Sequence, residues 1–155
     1  MALLHLVSGD ASSAASSFNE AATKFDDPRS AMGLAVALAE AGRLNEAVKQ
    51  CSLYIKRLMG RDSAPKLTEM LLASTLKTMG RFRAAASVYD HAIHGFPTDR
   101  DTARMYIELG FCYRSLGDSK KETDCIESAK KIAPDLVAEP AGQSGTQVST
   151  RGPML

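Results

Sequence analysis

Two histidines, His91 and His94, stand three residues apart and could share one face of a helix. That spacing suits two ligands of a zinc ion, but zinc takes a third protein ligand and usually a fourth, and the nearby sequence offers neither. The pair is expected at a solvated helix end, with no metal and no cofactor. Cys51, Cys112 and Cys125 are odd in number and widely spaced, which fits neither a disulfide framework nor a zinc knuckle. Free cysteine behaves as a small apolar residue, so Cys112 and Cys125 are expected to meet between paired helices. Redox chemistry would require an accessible thiol of low pKa. Asp26-Asp27 precedes Pro28 and reads as helix capping rather than as a catalytic carboxylate pair. There is no phosphate-cradling glycine loop, no G-x-S-x-G and no H-E-x-x-H. With no catalytic constellation in view, the expectation is a protein that is not an enzyme.

The bulk numbers narrow the class of protein. The chain has 155 residues, with 45% hydrophobic and 24% charged, the proportions of a globular domain. Nineteen basic and 18 acidic residues leave a net charge of +1, which gives no general phosphate-binding surface and no expectation of nucleic acid. No apolar run reaches the roughly 18 residues of a membrane span, and Met1 to Val7 is too short and lacks the basic leader of a signal peptide. Reduced thiols are the rule in the cytoplasm, where the chain is expected to reside.

The elements that must position any site are set by four glycines. Gly9, Gly42, Gly80 and Gly117 each separate two amphipathic stretches, at intervals of 33, 38 and 37 residues. Asp10 is a candidate N-cap for a helix running to about Phe25, with Ala14, Phe18 and Ala21 on one face. Asp27-Pro28 opens the next helix, and Leu34, Ala35 and Leu38 face its partner, which carries Ala47 and Cys51. Asp62 or Ser63 is expected to cap a helix with Pro65 in its first turn and Leu72, Ala73 and Leu76 on its packing face. Phe82, Ala85, Tyr89 and Ala92 follow, and Pro97 ends that hairpin. Thr98 or Asp99 caps the last opening helix. The extra residues of the longer intervals fall in Gly60 to Pro65 and Thr98 to Asp101, polar stretches where insertions cost little.

The most complete unit reads Tyr106-x-x-Leu109-Gly110-x-x-Tyr113, then Gly117, Ala129 and Pro134. This resembles the tetratricopeptide repeat, W-x₂-L-G-x₂-Y…A-x₃-F…P over about 34 residues, with tyrosine for tryptophan and Glu122 and Ile126 at the A-x₃-F places. The resemblance implies an all-α right-handed superhelix, an α-solenoid of antiparallel helix hairpins. It comprises three full units plus a truncated first unit, approximately 1–26, 28–61, 64–98 and 101–135. Small residues at Ala35, Ala73 and Gly110 are expected to let paired helices approach, a larger side chain overpacking the contact. Residues 136–155, rich in Pro, Gly, Ser, Thr and Gln, are expected to form a disordered C-terminal tail.

In this family the opening helix of each hairpin lines a concave groove. Carried over by position, the groove row is Met32, Val36 and Ala39, then Met70, Ser74 and Lys77, then Ile107, Phe111 and Arg114. Some members clamp the carboxylate end of a chaperone peptide with Lys, Asn and Arg in this row. Here those places hold Met32, Val36, Met70, Ser74, Ile107 and Phe111, so heat-shock chaperone tails are not expected to bind. The largely apolar row implies instead a protein-interaction module that takes an apolar or amphipathic peptide segment. The alternative is a structural subunit or fragment of a larger repeat scaffold. Its open N-terminal edge, Leu3, Leu4, Leu6 and Val7, would be the contact, with self-association as a consequence. Lys49, Lys56, Arg57 and Arg61 form a basic run that suits a helix C-terminus and also an acidic partner.

Overall fold

The computed structural model describes residues 2, 9–25 and 27–137, and the expectations placed on Leu3, Leu4, Leu6, Val7 and Asp26 and on residues 138–155 lie outside them. Seven α-helices follow in order among the described residues: α1 (Ala11–Phe25), α2 (Pro28–Glu40), α3 (Leu44–Met59), α4 (Pro65–Thr78), α5 (Phe82–Gly95), α6 (Arg100–Ser115) and α7 (Ser119–Ile132). A 3₁₀ turn, Pro134–Val137, closes the described chain. Helices α2–α3, α4–α5 and α6–α7 are antiparallel hairpins, and α1 packs on α2 as the half-hairpin before them. The fold is an all-α solenoid.

One hydrogen-bond motif recurs at all three hairpin turns. Gly42, Gly80 and Gly117 have φ of 77°, 74° and 79°, a left-handed conformation that glycine adopts without a Cβ penalty. The residue after each glycine donates its N–H five residues back, Arg43 to Leu38 O at 2.8 Å, Arg81 to Leu76 O at 2.9 Å and Asp118 to Tyr113 O at 2.9 Å. This is a Schellman cap, and it fixes the same reversal three times. Helix starts use local acceptors: Asp10 Oδ1 receives Ser13 N–H, Asp27 Oδ1 receives Arg29 N–H, and Asp99 and Thr102 form a reciprocal capping box. Helix α4 departs from expectation. Ala64, with no capping side chain, occupies its N-cap, while the Ser63 hydroxyl turns to the hydroxyl of Thr68.

The core is the row of small and branched side chains between helices. Leu72, Ala73, Leu76, Ala85, Ala47, Cys51, Met105 and Cys112 are fully buried. Each buried Leu contributes about 1.5–3 kcal/mol relative to exposure. Helix α2 is surrounded by α1, α3, α4 and α5, and its residues Leu34 to Ala39 are all buried. Its glycine, Gly33, lies under the Phe18 ring of α1, where a Cβ would come within 2.4 Å of Cε1. Gly110 is not such a place. A Cβ there would meet Cys125 Cβ at 3.4 Å, an ordinary contact, so the expectation of overpacking applies to Gly33 instead.

Two residues expected within the tail are ordered in the fold. Leu136 and Val137 belong to the 3₁₀ turn and pack, half-buried, on Ala103, Ala129 and Ala133. Pro134 stops α7, as its ring must, but the apolar pair beyond it still has a surface to cover.

Candidate functional site

The opening helices α2, α4 and α6 carry the expected row, and the structure divides it. Met32 and Met70 are half-buried against the main core, whereas half-buried Ile107 packs on the terminal cluster of Ala103, Ala129 and Ala133. Val36, expected on an open face, is 2% exposed. The reason is the central position of α2: with helices on several sides, its exposed arc is too narrow for a third row. Ala39 is buried likewise. A cavity of about 460 Å³ does run along α2 and α4, lined by Phe18, Met32, Gly33, Val36, Thr75 and Met79. It draws Thr75 from α4 and Met79 from its C-cap rather than the expected Met70 and Ser74.

On α4 and α6 the row is more accessible. Ser74 is exposed, and Phe111 stands 46% exposed. The Phe111 ring meets the edge of Phe82 with centroids 6.1 Å apart, and Lys77 Nζ lies 5.5 Å from its centroid. An edge-on ring contact and a cation over the face hold an aromatic in one orientation. Lys77 also pairs with Glu108. Arg114 Nε donates to Glu122 Oε1 at 2.6 Å, and that carboxylate raises the Arg114 pKa above its usual value. Both cations expected at the groove edge are therefore engaged by this chain's own acids. Glu122, which replaces the motif alanine, gains its partner this way.

The histidines are placed as single hydrogen-bonded side chains. His91 Nδ1 lies 2.8 Å from Glu69 Oε2, and the Glu69 side chain is only 6% exposed. His94 Nδ1 lies 2.8 Å from the carbonyl of Asp90. Among the described residues no group of three or more His, Cys, Asp or Glu is placed to hold a metal ion. The three cysteines are buried free thiols. Burial pushes Cys51 up to about 12, and Cys112 and Cys125 up to about 11. Cys51 Sγ donates to Thr68 O at 3.6 Å. These thiols act as packing groups. Among the described residues no helix is long and apolar enough to cross a membrane.

The sequence pattern missed the Glu69–His91 pair, because Glu69 stands at a place where the repeat carries an aromatic. It also missed a second apolar recess, of about 420 Å³, between the end of α3 and the start of α4. Ile55, Met59, Leu67 and Leu71 form its walls, and Arg61 and Asp62 lie at its mouth.

Two family models, both described as tetratricopeptide repeat, match the sequence over residues 1–62 and 103–136. No curated protein matches it. A solved structure described as BtubC (BKLC) from P. vanneervenii is similar at 21% identity, covering 89% of this chain and 79% of that one, with a TM-score of 0.33.

Proposed function

The chain belongs to the tetratricopeptide repeat family, and we propose that within that family's general role in protein–protein interaction it binds an apolar or amphipathic peptide segment along α4 and α6. The observation that carries this reading is Phe111. A large aromatic left nearly half exposed, yet held by Phe82 and Lys77, is a preorganised anchor. It loses little conformational freedom when a guest side chain covers it. Met70 one helix away supplies an adaptable neighbour of the kind that repacks around different guests, and Ser74 supplies a polar contact at the surface.

The test uses a displayed library of random peptides selected on the purified chain. Selected peptides are expected to share apolar anchors, and Phe111→Asp is expected to abolish their binding while circular dichroism stays helical. Phe111 is exposed, so the fold is spared. Selected peptides that bind Phe111→Asp as well as the parent protein would overturn the proposal.

A further inference from the structure

The recess between α3 and α4 is independent of Phe111 and makes a different demand on its occupant. Helix α3 ends at Met59 because Gly60 turns left-handed, with φ 67° and its N–H on Lys56 O at 2.8 Å. The chain then spends Arg61 to Ala64 reaching Pro65, and α3 packs only loosely on α4. The equivalent link after α5 is filled differently. Phe96 packs on the core, and Lys66 Nζ ties that link together through Asp99 Oδ1 at 2.6 Å and Pro97 O at 3.2 Å. No comparable side chain plugs the α3–α4 link among its described lining, and its walls stay open: Met59 is 65% exposed and Leu67 53%.

The walls are two helical turns facing each other, Ile55 with Met59 and Leu67 with Leu71, each pair four residues apart. Such a trough accepts side chains that recur once per helical turn, which is the spacing an amphipathic helix presents. Its volume falls in the range of small-ligand and anchor pockets. The chain leading into it is basic. From Ala47 to Arg61 the chain carries Lys49, Lys56, Arg57 and Arg61 and no acid, although the whole protein is nearly neutral. The acid at the mouth, Asp62, is held by Lys56 at 3.1 Å, and Arg57 also has a partner within the protein. Arg61 and Asp62 both line the recess, and Asp62 is the one already held within the chain by a basic partner.

We infer that this recess is a second docking site, for a partner helix whose apolar anchors are flanked by Asp and Glu. The anchors enter between Met59 and Leu71, and the acidic flanks lie against Arg61 and the basic end of α3. Charge complementarity of this kind selects the partner and speeds encounter, while the aliphatic walls supply affinity.

The probe is a fluorescent synthetic peptide of about 15 residues, with Leu on one helical face and Glu elsewhere, beside a twin carrying Lys in place of every Glu. Anisotropy titration is expected to show the Glu peptide binding at least about tenfold more tightly, with the advantage shrinking between about 0.1 M and about 0.5 M salt. Leu71→Asp, at an exposed wall, is expected to abolish binding. Arg61→Glu, on the connecting loop, is expected to erase the preference for Glu. Phe111→Asp is expected to change nothing here, which separates this site from the first. Equal affinity for both peptides overturns the inference, as does binding that survives Leu71→Asp. A dimer that Leu71→Asp dissociates in sedimentation, with no Glu-peptide binding by the parent chain, overturns it in favour of a second copy as occupant.

Discussion

Gly33 and Gly110 offer the same substitution in two surroundings and predict opposite signs. Both lie inside helices, where replacing Gly by Ala gains about 0.8–1 kcal/mol of backbone entropy and solvation. At Gly110 the new methyl would sit 3.4 Å from Cys125 Cβ and 3.5 Å from Glu122 O and Ile126 Cδ1, contacts that add dispersion without displacing anything. Gly110→Ala is therefore expected to stabilise by about 0.5–1 kcal/mol. At Gly33 the methyl would lie 2.4 Å, 2.6 Å and 2.7 Å from Cε1, Cδ1 and Cζ of Phe18. Phe18 is 8% exposed, so its ring has little room to retreat, and overpacking costs about 1–3 kcal/mol. The helix gain offsets part of that, leaving Gly33→Ala destabilised by up to about 2 kcal/mol. Urea unfolding followed by helical circular dichroism reads both values. Adding Phe18→Leu isolates the contact, since the double variant is expected to recover part of the loss in a mutant cycle. If Gly33→Ala stabilises as much as Gly110→Ala does, the close approach of α1 to α2 is refuted.

Two further outcomes follow from the charges and thiols. All three cysteines have raised pKa values through burial, so the native state holds their protons where an unfolded chain releases them. Their contribution is complete below the ordinary thiol pKa near 8.5 and is lost as pH rises toward about 11 for Cys112 and Cys125 and about 12 for Cys51. Thermal midpoints are expected to fall across that alkaline window, less so in Cys51→Ala corrected for its neutral-pH loss, and Ellman's reagent at pH 8 is expected to label the thiols only after denaturant is added. At the acid end, Lys66 donates to Asp99, and this hydrogen bond, with that from Thr102 N–H, lowers the Asp99 pKa. A lowered carboxylate stabilises above the unfolded pKa near 3.9 and ceases to do so as pH falls through its native value. Lys66→Met is thus expected to melt below the parent at pH 6, with the gap narrowing under pH 4; a gap independent of pH would show that Lys66 acts through Pro97 O and packing alone.

The hairpins were legible because they rest on local rules. A glycine that must adopt positive φ and a small residue facing its partner helix are each dictated within one hairpin, and Gly42, Gly80 and Gly117 repeat that dictation. Asp27 and Asp99 were legible for the same reason, since an N-cap needs only the next three residues. Ser63 misled because the helix begins one residue later than a Ser63 cap requires, with Ala64 at the N-cap, and its hydroxyl meets instead that of Thr68 within α4, which itself donates to Ala64 O at 3.2 Å.

The site was legible only halfway, and Val36 and Leu67 show why. Both are apolar residues on opening helices, and periodicity assigns each to a face. What covers that face is decided by other hairpins. Val36 disappears because α4 and α5 both reach α2, and Leu67 emerges because Gly60 and the Arg61–Ala64 link hold α3 away from α4. A uniform repeat would close every hairpin on the one before it in the same way. The departure from uniformity is the inserted stretch after Met59, which sequence reading took as a tolerated lengthening of a loop. It is better understood as the element that opens this array: lengthening the link costs little in closure entropy, yet it exposes an aliphatic trough beside the most basic helix of a nearly neutral chain. In a solenoid, where each hairpin touches only its neighbours, apolar surface is exposed where one neighbour contact is relaxed.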